Sequence, residues 1–266
     1  MESFRADDGA ELAFAESGSG EPALVFVHGW QADHTVWAGV MDALGPQMHT
    51  IAADLRGNGE SLRAGGPYRL ERYARDLHEL VNARGVGPVV VVGHSMGGTV
   101  ALRFAVDYPH ATRGLVLVAP VPASGGGYSE KGEAYLRATV GDPAAVRNWL
   151  ARTLANPSAS ATLDRLCATA AKADRDVTLE CFESWAHADF AAQTQKIEAP
   201  ALVIAPENDA PQTAEQRVAA LLPHAQFVTL AHAAHYAILE QPKEIAALIS
   251  AFRRSLGSSH RDRGSS

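Results

Sequence analysis

The stretch Val89-Val90-Val91-Val92-Gly93-His94-Ser95-Met96-Gly97-Gly98-Thr99 decides the fold. Four consecutive valines read as a strand covered on both faces. The G-x-S-x-G that follows at once forces the strand to turn sharply into a helix and throws the Ser95 hydroxyl outward at the helix head. Ser95 is expected at strained backbone angles, and Gly93 and Gly97, two residues to either side, must be small for strand and helix to approach. The helix, read over 96–108, would aim unpaired N–H groups and a partial positive charge at an anion formed beside Ser95. A phosphate loop would instead carry G-x-x-x-x-G-K-[ST] or G-x-G-x-x-G, and neither pattern occurs here.

Working outward, Asp8-Gly9 supplies the turn of a hairpin between strands at 3–6 and 11–16. Apolar runs at 23–27, 50–53, 115–119, 201–205 and 227–230 read as further buried strands. Helical patterns at 70–83, 99–108, 213–222 and 243–254 alternate with them, which implies a parallel sheet with functional loops beyond the strands' carboxyl ends. The alternation breaks once, over 121–192. Pro122, Gly125 to Gly127, Gly141-Asp142-Pro143 and Asn156-Pro157-Ser158 punctuate four short helical stretches there. The expected organisation is a core over 1–120, an inserted helical lid over 121–192, the rest of the core over 193–256 and a polar, disordered tail over 257–266.

A chain of 266 residues with 47% hydrophobic and 20% charged residues can bury one full α/β core. Its net charge of −7 is interspersed rather than blocked, so there is no basic stripe for nucleic acid and no polybasic patch for a membrane. The first eight residues are polar and acidic, unlike a signal peptide, and no window approaches the ~18 apolar residues of a membrane span. A cytoplasmic protein acting on a small-molecule substrate is expected, with self-association into a homo-oligomer left open. Cys167 and Cys181 sit in no metal-type or disulfide spacing, and neither a metal nor an organic cofactor is expected.

A serine hydroxyl needs an imidazole to take its proton and a third group to orient that imidazole. His94 adjoins Ser95, but side chains diverge on a sharp elbow, so it reads as packing beside the sheet. His232 and His235 both follow the last strand at the sheet's functional end. Asp209, just past the 201–205 strand, precedes them in the chain order Ser, Asp, His, with Glu207 as competitor. Taken by itself, Asp209 would also serve as a turn residue or helix cap. Two backbone donors for an oxyanion are expected, from Met96 at the helix head and from Trp30, since Gly29 lets the chain turn inward after the 23–27 strand. A strand-ending turn with a buried Trp would fit the same residues.

Together these motifs resemble the α/β-hydrolase superfamily, in its small-lid carboxylesterase, lactonase and haloperoxidase-like perhydrolase branch. The resemblance runs over nearly the whole chain: His28-Gly29, Asp54-Leu55-Arg56-Gly57-Asn58-Gly59-Glu60-Ser61, the Ser95 elbow, Asp209, and His235 with Glu240 and Pro242. It implies an eight-stranded, mostly parallel sheet flanked by helices. It selects His235 over His232, and it makes Asp54 and Arg56 structural. Two positions depart from the family pattern, Pro206 and Ala234 standing where Gly is usual, and the rigid Pro206 bears on where Asp209 lies.

The activity implied is hydrolysis of an ester or lactone of a small, largely apolar substrate through an acyl-enzyme, with Ser95, His235 and Asp209 as the triad. Tyr128, Tyr135, Trp149, Phe182 and Trp185 of the 121–192 segment are candidates to dock it or to line a pocket. Cofactor-free perhydrolysis, carbon–carbon bond hydrolysis and acyl transfer would use the same triad, and a ligand receptor could use the scaffold without turnover. A serine in place of an aspartate argues against alkyl-enzyme chemistry.

Overall fold

Strands β1 (Glu2–Arg5) and β2 (Glu11–Ser17) pair antiparallel around the Asp8-Gly9 turn, where Gly9 takes a positive φ of 85°. They begin an eight-stranded sheet in a computed structural model that describes residues 1–156, 160–209 and 213–258. The other strands are β3 (Leu24–Val27), β4 (Thr50–Ala53), β5 (Val89–His94), β6 (Thr112–Val118), β7 (Ala201–Pro206) and β8 (Ala225–Leu230), in the order β1-β2-β4-β3-β5-β6-β7-β8. From β4 to β8 every pairing is parallel, with β5 between β3 and β6. The fold is the α/β-hydrolase fold expected above.

Period-two alternation divides each central strand between two cores. Val25, Val27, Val89, Val91, Leu115 and Leu117 face one, against α2 (Leu70–Ala83) and α3 (Met96–Asp107). Leu24, Phe26, Val90, Val92, Val116 and Val118 face the other, with α1 (Ala38–Leu44) and the C-terminal helix over 242–258. Both faces being covered is why these strands read as unbroken apolar runs.

Strand β8 departs from that reading. It is the sheet's edge, half-buried to exposed along its length, and Phe227 is 37% exposed. Its apolar residues thus mark an edge strand rather than one buried on both faces.

Between β6 and β7 lie α4 (Glu130–Thr139), α5 (Pro143–Arg152), α6 (Ser160–Ala170) and α7 (Arg175–Ala186), then the single turn α8 (Ala191–Thr194), with no strand among the described residues. The breaker Gly141-Asp142-Pro143 acts as expected, whereas Pro157 and Ser158 lie outside the described residues. Asp142 caps α5 by accepting the Ala144 and Ala145 N–H groups at 2.9 and 3.0 Å, with Pro143 opening the helix.

After α9 (Thr213–Leu221) and the short α10 (Ala237–Glu240), helix α11 (Pro242–Ser258) closes the fold. It outruns the expected end at 254, because Leu256 extends the buried face of Ile245, Ile249 and Phe252 and its carbonyl accepts an Arg113 N–H at 2.6 Å. Gly257 and Ser258, assigned above to a disordered tail, are therefore helical, and 259–266 lie outside the described residues.

Candidate active site

The elbow has the geometry its glycines require. Ser95 sits at φ 56° and ψ −123°, a region costly for any residue with a Cβ. A Cβ on Gly93 would collide with the Gly97 carbonyl, and one on Gly97 with the carbonyls of Val27 and His28. The Ser95 N–H donates to the Val118 carbonyl at 3.0 Å, and its carbonyl accepts the Val121 N–H at 3.1 Å, so β6 braces the turn.

Three side chains from separate elements converge there. His235 Nε2 lies 3.0 Å from Ser95 Oγ, and His235 Nδ1 lies 2.7 Å from Asp209 Oδ2. A carboxylate accepts only, so Nδ1 carries the proton and Nε2 is free to accept from the serine hydroxyl. Burial would lower the His235 pKa, but the Asp209 charge and hydrogen bond outweigh it and hold the pKa above its ordinary value. Pro206 does not displace Asp209. It ends β7 in register with Leu230, and its carbonyl accepts the Asp209 N–H at 3.2 Å.

The competing residues lie elsewhere. His232 is 93% exposed, and Glu207 accepts the His232 N–H at 2.9 Å outside the cluster. His94 is buried as expected, yet it does more than pack: its Nε2–H donates to the His235 carbonyl at 2.8 Å. Burial, with the neighbouring His235, pushes its pKa down to about 3, so the ring stays neutral. Glu240 pins the same loop, accepting the N–H groups of Ala234 at 2.9 Å and Ala155 at 2.5 Å.

Trp30 and Met96 flank Ser95. A Cβ on Gly29 would stand 3.2 Å from both Ser95 Cβ and His94 Nδ1, so glycine lets the chain carrying Trp30 pass close to the elbow without crowding either side chain. The Trp30 indole N–H donates to the Thr178 carbonyl of α7 at 3.0 Å, and its ring meets those of Trp149, Phe182 and Trp185 at 5.4–5.7 Å. Asp54 and Arg56 are structural, as expected. Asp54 accepts the His34 and Glu60 N–H groups, and Arg56 is buried in a two-bond pair with Asp76 at 2.7 and 2.8 Å.

A cavity of about 310 Å³ opens over Ser95. Tyr128, Tyr135, Trp149 and Trp185 line it, whereas Phe182 is fully buried behind Trp30. Sequence reasoning missed Glu215, which lines the same cavity from the first turn of α9 and is 3% exposed. An acid in a first helical turn ordinarily serves the helix dipole, so nothing in the sequence singles it out. Among the described residues no three His, Cys, Asp or Glu side chains are grouped to hold a metal, and no helix is long and apolar enough to cross a membrane.

The family model for the alpha/beta hydrolase fold matches residues 22–242, which spans the elbow, Asp209 and His235. The chain belongs to the α/β-hydrolase family. Over 115 residues it is 36% identical to a soluble epoxide hydrolase of Corynebacterium sp., covering 43% of this chain and 40% of that protein. It is 37% identical, again over 115 residues, to an uncharacterized protein of Mycobacterium tuberculosis, covering 43% of this chain and 33% of that one. The chain thus spans well under half the length of these curated relatives. The α/β-hydrolase likeness extends to whole structures: a thermophilic esterase from Thermogutta terrifontis superposes with a TM-score of 0.83 at 26% identity, covering 96% of this chain and 99% of that one.

Proposed function

We propose that this α/β-hydrolase is a serine esterase or lactonase that works through an acyl-enzyme. Ser95 Oγ attacks the substrate carbonyl while His235 Nε2 takes its proton. The Trp30 and Met96 backbone N–H groups donate to the oxyanion, and each such donor is worth on the order of 10²-fold in rate. His235 returns the proton to the leaving alcohol, and Asp209 holds the ring in the Nδ1–H tautomer throughout. Water, deprotonated by His235, then releases the acid and regenerates Ser95.

The observation that carries this reading is the 3.0 Å approach of His235 Nε2 to Ser95 Oγ, with Asp209 at 2.7 Å behind the ring. The likeness to the Thermogutta esterase supports it. The likeness to an epoxide hydrolase does not point to epoxide opening here, because attack by Ser95 on an epoxide carbon would leave an ether that water does not cleave. The helices over 121–192 act as a lid in this reading, their aromatic side chains closing the cavity on a small-molecule substrate.

Labelling with a fluorophosphonate followed by peptide mapping tests the assignment. The adduct is expected on Ser95, and Ser95→Ala is expected to lower p-nitrophenyl ester turnover by about 10³-fold or more without altering the circular dichroism spectrum. A label on another residue, or full activity in Ser95→Ala, would refute it.

A further inference from the structure

The acyl-transfer chemistry leaves one charged side chain of the cavity unused. Glu215 is 3% exposed, and its Oε2 is buried without a hydrogen-bond partner. Buried carboxylates are normally paired, and an unpaired one is held at considerable cost. Asp209, the other acid of the cavity, is already bonded to His235. No Lys or Arg lines the cavity among the described residues, and Arg217, exposed on the same helix, and His235 act on Glu215 only as charges that partly offset its burial. Burial, reinforced by the charge of Asp209, pushes the Glu215 carboxyl up to about 7. A cation brought in by a ligand would reverse that and hold the carboxylate ionised.

The remaining walls suit such a cation. The Trp30 ring meets those of Trp149 and Trp185 with centres 5.5 and 5.7 Å away, and Tyr128 meets Trp185 at 5.9 Å. All four line the cavity. Aromatic faces attract an ammonium through the ring quadrupole, and more strongly when the site is dry. A hydroxyl could bond to Glu215 or to the unpartnered Trp185 indole N–H but would gain nothing from the ring faces. An alkyl group would leave Glu215 Oε2 without a partner.

We infer that the substrate carries a basic nitrogen, seated as an ammonium between Glu215 and the aromatic wall while its ester carbonyl lies at Ser95, which makes aminoacyl or aminoalkyl esters the substrate class. The inference rests on the esterase reading above and gives Glu215 the role of specificity determinant.

The test is kcat/KM for p-nitrophenyl esters of a series of ω-amino acids, each against its alkyl and ω-hydroxy isosteres, in wild type and Glu215→Gln. Wild type is expected to prefer the amino ester of the fitting chain length over both isosteres by about tenfold or more, and Glu215→Gln to erase most of that ratio. A wild-type ratio near one at every length, an equal preference for the hydroxy ester, or a ratio unchanged in Glu215→Gln would overturn the inference. The wild-type ratio decides alone should the variant fail to fold. Calorimetric titration of Ser95→Ala with the matching alkylammonium and alcohol separates the two readings. Preferential binding of the ammonium, together with a wild type that cleaves no ester of any of the series, would sink the esterase reading and spare the ammonium site, and brisk wild-type hydrolysis with no ammonium preference would do the reverse.

Discussion

Replacing Glu215 by glutamine should change how stability depends on pH, in a direction the buried carboxyl dictates. Burial and the charge of Asp209 raise its folded-state pKa from 4.5 to about 7. The native state therefore holds this proton more tightly than the unfolded chain does. The group's contribution is fully present below pH 4.5, and it is lost progressively as pH rises through about 7. At about 1.36 kcal/mol per unit, the loss is on the order of 3 kcal/mol. Glutamine preserves the shape and cannot titrate. The stability of Glu215→Gln relative to wild type should thus rise by about 3 kcal/mol between roughly pH 4 and pH 8. For a chain of this size that opens a gap of about 6–12 °C in melting temperature. Thermal melts of both proteins across that range measure it, read as the difference between the two so that titrating groups not coupled to Glu215 cancel. Adding Asp209→Asn to both should shrink the step, since one cause of the raised pKa goes with the charge. A gap that stays constant with pH, or one that favours wild type as pH rises, would refute the reasoning.

The remaining expectations concern the proposed triad and its elbow. Because the His235 pKa is held above 6.5 and only the neutral ring can take the serine proton, kcat/KM should fall as pH drops through a value above 6.5; an acid limb at or below 6.5 in the pH–rate profile would contradict this. Asp209→Asn should lower kcat by on the order of 10³–10⁴-fold and Glu207→Gln by no more than a few-fold, and steady-state kinetics giving the opposite ranking would reassign the orienting acid. Gly97→Ala, whose Cβ would meet the Val27 and His28 carbonyls, should cost at least about 3 kcal/mol in thermal or urea melts. Gly65→Ala, with nothing within 4 Å, should cost almost nothing, and equal costs at the two sites would refute the packing argument.

What could be read from the sequence was whatever local sterics or strict chain order determines. The elbow is such a case: backbone at positive φ, with glycine on both flanks, leaves few alternatives for Val89 to Gly98, and the strand, turn and helix fall where those constraints put them. His235 and Asp209 were legible for a different reason. Each follows a strand at the carboxyl edge of a parallel sheet, so the topology itself delivers them to one rim. What escaped depends on neighbours distant in sequence. Phe227, Val228 and Leu230 have the composition of an interior strand, and they form an edge only because no strand pairs beyond β8 among the described residues. Leu256 keeps α11 helical past Arg254 because Gly114 leaves room for its side chain, a contact no local pattern announces. Glu215 is the sharpest instance. On an isolated helix it would be a solvated acid at the favourable end of the dipole. It is buried because α9 sets it into a cavity whose other walls come from the elbow and from the aromatic residues between β6 and β7. The proposed machinery for bond cleavage is thus written in short motifs, whereas the choice of substrate inferred for Glu215 is written in the packing of segments that carry no motif at all. On the proposed reading, a relative sharing the elbow and the His235 loop would keep the chemistry while differing at the position of Glu215 in what it accepts.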